Sequence, residues 1–166
     1  PGGLMDLNAA SDKLLASMFD SLGVETDLRN RLVDSMLDWR DADDIPHLYG
    51  AEVGDYPGNG SERGARPPNN SFQSIDQLLF VKNMTPELFY GSFGVNSATG
   101  EYVRRPGVRE LVTVQSGAGE VNANQADFEV LRALPSMTAE LSGRMIAHRS
   151  ERAFSGEIDL TTRIPE

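Results

Sequence analysis

Cysteine is absent from the 166 residues, which excludes disulfides and thiolate catalysis and leaves the redox compartment open. Histidine occurs only twice, as His47 and His148, far apart in the chain. No serine sits in a Gly-x-Ser-x-Gly elbow, and no Walker or dinucleotide-type glycine loop is present. Positive charge is scarce: 15 Lys and Arg face 25 Asp and Glu, a net charge of −10. A chain of that sign repels phosphate backbones, so nucleic-acid binding would need a concentrated basic patch. Arg104-Arg105 and the scattered Arg144, Arg149 and Arg152 are thin material for one. Long apolar runs are missing too; Leu78-Leu79-Phe80-Val81 is among the longest, far short of a membrane span. No basic and apolar leader opens the chain. Pro1-Gly2-Gly3 reads as the edge of a longer protein, and Glu166 falls about where a final helix would start.

What is present is helical periodicity. Asn8 or Ser11 is placed to cap a helix carrying Leu14, Leu15, Met18, Phe19 and Leu22. Gly23 stops it, and Glu25-Thr26-Asp27 starts a second helix with Leu28, Leu32, Val33, Met36 and Leu37 on one face. Thr85-Pro86-Glu87-Leu88 is a further helix start, with a capping hydroxyl ahead of a proline. The β-branched run Leu111-Val112-Thr113-Val114 is the best strand candidate.

The segments then recur in order. Val121-Asn122-Ala123-Asn124 echoes Leu7-Asn8-Ala9-Ala10, Met137-Thr138-Ala139-Glu140-Leu141 echoes Met84-Thr85-Pro86-Glu87-Leu88, and Phe154-Ser155 echoes Phe72-Gln73-Ser74. The reading is a mainly α protein of tandem SAM-like or helix-hairpin-helix units with a small β element. The first unit spans residues 1–106 and contains a long acidic loop, 41–71. The second spans residues 107–166 and carries the β element and a C-terminally truncated helical unit.

The richest chemistry lies in Leu37-Asp38-Trp39-Arg40-Asp41-Ala42-Asp43-Asp44, followed by Gly50-Ala51-Glu52-Val53-Gly54-Asp55-Tyr56. Carboxylates crowd what reads as a helix C-terminus, already partly negative from its free carbonyls. That crowding calls for a hard divalent cation held through oxygen. Counted from Asp41, Asp43 and Glu52 fall on the third and twelfth positions of an EF-hand loop. Ile45 and Pro46 break that pattern, so an irregular calcium site is the form expected. A solvated acidic surface is the plainer alternative. His47 reads as a surface histidine and Trp39 as a core anchor.

These segments, with Phe72-Gln73-Ser74-Ile75-Asp76-Gln77-Leu78 and Val81-Lys82-Asn83-Met84-Thr85-Pro86-Glu87-Leu88, resemble the type II secretion minor pseudopilin K family. So do Val121-Asn122-Ala123-Asn124 and Val130-Leu131-Arg132-Ala133-Leu134-Pro135. The resemblance implies a helical domain inserted into a pilin-like body, with an inner-membrane anchor outside this chain and a periplasmic location. It implies calcium on Asp41, Asp43, Asp44, Glu52 and Asp55, and assembly with minor pseudopilins I and J at a pseudopilus tip. It implies no catalysis. Two rivals stand beside it: a nucleic-acid-binding helix-hairpin-helix module of the DNA-uptake kind, and a metal-dependent hydrolase using the acidic cluster with His47.

Overall fold

The computed structural model describes residues 2–56, 67–96 and 99–164. Residues 57–66 of the acidic loop therefore lie outside the described residues. The described part is mainly helical with two small sheets, and no helix in it is long and apolar enough to cross a membrane.

Strand β1 (Met5–Asp6) leads into α1 (Asp12–Ser21), where Ser11 Oγ accepts from the Leu14 N–H as the N-cap. Gly23 adopts φ +74° just past the helix end, a left-handed turn that glycine enters without a Cβ penalty. Helix α2 (Thr26–Arg40) returns against α1 and buries Leu32, Val33, Met36 and Trp39. Short α3 (Pro86–Tyr90) starts at the Thr85 cap as its sequence foretells. An antiparallel pair follows, β2 (Ser92–Val95) and β3 (Tyr102–Arg105). The expected strand at 111–114 appears as β4 (Val112–Thr113), paired parallel with β1 through Met5↔Val112. Helices α4 (Phe128–Arg132), α5 (Ala139–Glu151) and α6 (Glu157–Arg163) complete the chain. One apolar cluster runs from Met5 and Leu7 through Phe19, Met36 and Phe72 to Leu131, Met145 and Phe154.

The internal echo has a physical basis in two matching clamps. Asn8 Nδ2 donates to the Phe72 carbonyl at 3.0 Å while its Oδ1 accepts from the Phe72 N–H at 2.7 Å. Asn124 does the same with Phe154, at 2.9 and 2.8 Å. Two residues earlier, Asp6 and Asn122 each accept from the clamp asparagine's N–H. Arg40, ending α2, donates to the carbonyls of Leu7 and Ala10; Arg149, in the last turn of α5, donates to those of Ala123 and Ala126. Asn124, rather than Asn122, is thus the counterpart of Asn8, and Val130 and Leu131 are the counterparts of buried Leu14 and Leu15. Each clamp satisfies a backbone donor and acceptor that no ladder reaches. Asn8→Ala and Asn124→Ala should therefore each cost about 1–3 kcal/mol in urea unfolding. Loss from only one of the two would break the equivalence.

Candidate metal centre

The acidic site is built on the C-terminal half of α2. Asp34, Asp38 and Asp41 recur at helical spacing, so they share one face of the helix. The chain returning after residue 44 turns at Leu48-Tyr49, where the Gly50 N–H bonds the His47 carbonyl at 3.0 Å, and brings other backbone N–H groups to that face of α2. Three of them meet that face: His47 N–H to Asp38 Oδ1 at 3.0 Å, Tyr49 N–H to Asp34 Oδ2 at 2.9 Å, and Ala51 N–H to Asp38 Oδ2 at 2.6 Å. Asp38 is fully buried and also bonds the His47 ring through Nδ1. Gly50 passes so close that a Cβ there would lie 1.8 Å from Asp38 Oδ2. Trp39 stacks on Phe72 at 6.1 Å and meets Tyr56 edge-on at 6.0 Å, holding both ends of the loop to the helix. The core-anchor reading of Trp39 stands on those contacts.

Glu52 then enters from the loop with only 6% exposure, and neither of its carboxylate oxygens has a hydrogen-bond partner. Burial pushes its pKa up to about 7, and the negative charges of Asp38, Asp41, Asp44 and Asp43 add to the rise. Asp41 is raised as well, by burial and by Asp43 and Asp38, and its Oδ1 is also buried without a partner. His47 is raised first by its hydrogen bond to Asp38, then by the charges of Asp38, Asp34 and Asp41, against the opposing effect of burial. Its Nδ1 also lies 3.9 Å from Asp41 Oδ2. Ligand atoms of Asp38, Asp41 and His47 all fall within 4.8 Å of one another.

The other sequence-chosen carboxylates have neighbours of their own. Asp43 Oδ1 accepts from the Ile45 N–H and Asp44 Oδ1 from Asn69 Nδ2. Asp55 bonds Lys82 Nζ at 3.1 Å and the Glu52 N–H at 3.2 Å, and these bonds lower its pKa. Sequence reasoning passed over Asp38, which the structure places in the site; His47 is exposed, as a surface histidine is, and its ring bonds Asp38. The 34–38–41 spacing was the available signal. Ligand atoms of Asp38, Asp41 and His47 come together, and the partner-free oxygens of Glu52 and Asp41 are of the kind a hard cation takes.

The charge balance fixes a pH dependence in chelator. Between 4.5, the ordinary value for Glu52, and about 7, folded Glu52 holds a proton that the unfolded chain releases. Stability therefore falls as pH rises through that window. His47 adds in the same direction, because its contribution is present below 6.5 and is lost as pH climbs through its raised value. Asp55 acts oppositely, but its contribution is lost only at acid pH, below the window. Urea midpoints measured in chelator should decline across pH 4.5 to 7; a flat or rising profile would contradict the arrangement.

Several of the arginines that a nucleic-acid reading would need are committed within the fold. Arg104 pairs bidentately with Glu110, Arg152 and Arg163 with Asp159, and Arg149 with two carbonyls.

No curated protein matches the chain. A chain from the GspK-GspI-GspJ complex of the enterotoxigenic Escherichia coli Type 2 Secretion System matches its fold, with a TM-score of 0.64 at 14% identity. The match covers 97% of this chain and 60% of that one, so the present chain spans well under two thirds of its structural relative. Residues 4–90, which contain the first clamp, α2 and the whole acidic site, match the family model "Type II secretion system (T2SS), protein K". With both its fold and its acid-rich half matched in this way, the chain belongs to the type II secretion system protein K family.

Proposed function

We propose that this chain is the helical head of a minor pseudopilin, a periplasmic domain that caps a secretion pseudopilus and assembles with minor pseudopilins I and J. The observation that carries this reading is the family match over residues 4–90. The similar E. coli chain comes from a complex with GspI and GspJ, which supports the choice of partners. The role is structural. The two clamped units are tandem helical hairpins of the SAM-like or helix-hairpin-helix kind, packed as a bulky body.

Calcium belongs in this reading as a fastener of the acidic loop, held by Asp41, Asp43, Asp44, Glu52 and Asp55. The orphaned oxygens of Glu52 support it. Bound there, the ion would supply positive charge and oxygen coordination; Trp39, Asp38 and Gly50 position the loop around it. The second unit has Gly143, Ala147 and Ser150 where the first has Asp34, Asp38 and Asp41, by the alignment of Arg149 with Arg40. Among the described residues, that helix face carries carboxylates at these positions only in the first unit.

The test is size-exclusion chromatography of the full ectodomain with its cognate pseudopilins I and J in calcium. Co-elution is expected for the ectodomain. The isolated head should elute alone as a folded monomer, because pilin-like subunits join through their long helices. An ectodomain that stays apart from both folded partners would remove the tip reading.

A further inference from the structure

The β2–β3 hairpin gathers four of the large apolar side chains exposed among the described residues, Phe93, Val95, Tyr102 and Val103. Its two strands form a sheet of their own, so both are edges, and a lone two-stranded hairpin is marginal in water. The register places Phe93, Val95, Tyr102 and Arg104 on one face. Phe93 is 74% exposed, Val95 53% and Tyr102 82%, and all four residues of β3 are exposed. The Asn96 N–H bonds the Glu101 carbonyl, and antiparallel alternation then makes Gly94 with Val103 a hydrogen-bonded pair. The N–H and C=O groups of Tyr102 and Arg104 accordingly face outward from the open edge of β3.

Charge selects the occupant. In a chain of net −10, this strand carries two adjacent arginines. Arg105 makes no ion pair among the described residues, and Arg104 has a single acidic neighbour, Glu110. A second copy pairing through the same edge would bring four arginines together, which opposes self-association. We propose that the β3 edge accepts an extended, acidic segment of another protein as a third strand, with carboxylates on the Arg105 face and apolar side chains on the opposite face, against Phe93, Val95 and Tyr102. This surface is separate from the acidic site and independent of the tip-complex reading.

The test uses the intact chain and two short synthetic peptides, one alternating Glu with Val and one alternating Lys with Val. Binding is followed by backbone amide NMR. The Glu peptide should bind about tenfold or more tightly than the Lys peptide. Its perturbations should centre on residues 92–105, with slowed exchange at the Tyr102 and Arg104 amides. The preference should invert in the Arg105→Glu variant, and both peptides should weaken with Phe93→Ser/Tyr102→Ser. The latter removes only exposed side chains and keeps the fold, as circular dichroism would verify. Equal affinity for the two peptides, perturbations located elsewhere or no binding at all would overturn the proposal. So would sedimentation showing that the free chain dimerises through this hairpin.

Discussion

Asp38→Ala will destabilise the protein by about 2–4 kcal/mol in chelator, as read from urea unfolding. The substitution strips the His47 and Ala51 N–H groups and the His47 ring of one shared acceptor. The buried Ala51 N–H left without a partner costs about 1–3 kcal/mol, and the part-buried His47 groups add less because water reaches them. Part of that loss is offset, because Asp41 and Glu52 are relieved of a neighbouring negative charge. The orphaned Ala51 donor outweighs the relief, since it is buried while the acids retain one another. Asp38→Asn separates the two effects: it keeps one acceptor oxygen and removes the charge, so its cost should be clearly smaller. Equal losses in both variants would mean that charge, rather than acceptor geometry, is what Asp38 contributes.

The second large effect is expected from calcium. At a hundredfold excess over its dissociation constant, an ion that binds only the folded state adds about 2.7 kcal/mol. For a chain of this size that raises the melting midpoint by roughly 5–11 °C over the value in chelator. Glu52→Gln gives a signature of opposite sign in the two conditions. In chelator above pH 7 it should stabilise, because a buried carboxylate without hydrogen bonds is replaced by a neutral amide. In calcium the increment should shrink or vanish, and Asp41→Asn should reduce it as well. Calcorimetric midpoints that are identical with and without calcium, or a full calcium shift in both variants, would reject the ion.

The helical frame was legible because its signals are local. Ser11, Gly23 and Thr85 do in the structure what such residues do at any helix end. The repeat was legible as composition, but its register was not: Asn122 and Asn124 look alike in sequence, and only the hydrogen bonds to Phe154 distinguish them. Asp38 was hidden for a related reason. Its burial depends on N–H groups nine and thirteen residues later, and no window over α2 contains them. The β2–β3 hairpin escaped because its alternation is faint; Gly94 interrupts one strand, and both arginines end the other. The family resemblance reached further than the pattern reading, because residues 4–90 carry their motifs whole.

The twin asparagine clamps turn the segment between each arginine and phenylalanine into a tethered polymer. Its anchors are the same in both units, but the tether is residues 41–71 in one and 150–153 in the other. The longer tether has the larger closure entropy, though that cost grows only with the logarithm of length. The long tether is thus a graft that the scaffold accepts at constant geometry. Loops of other lengths and chemistry should be exchangeable between Arg40 and Phe72 without disturbing the helices, provided that each brings its own means of closing.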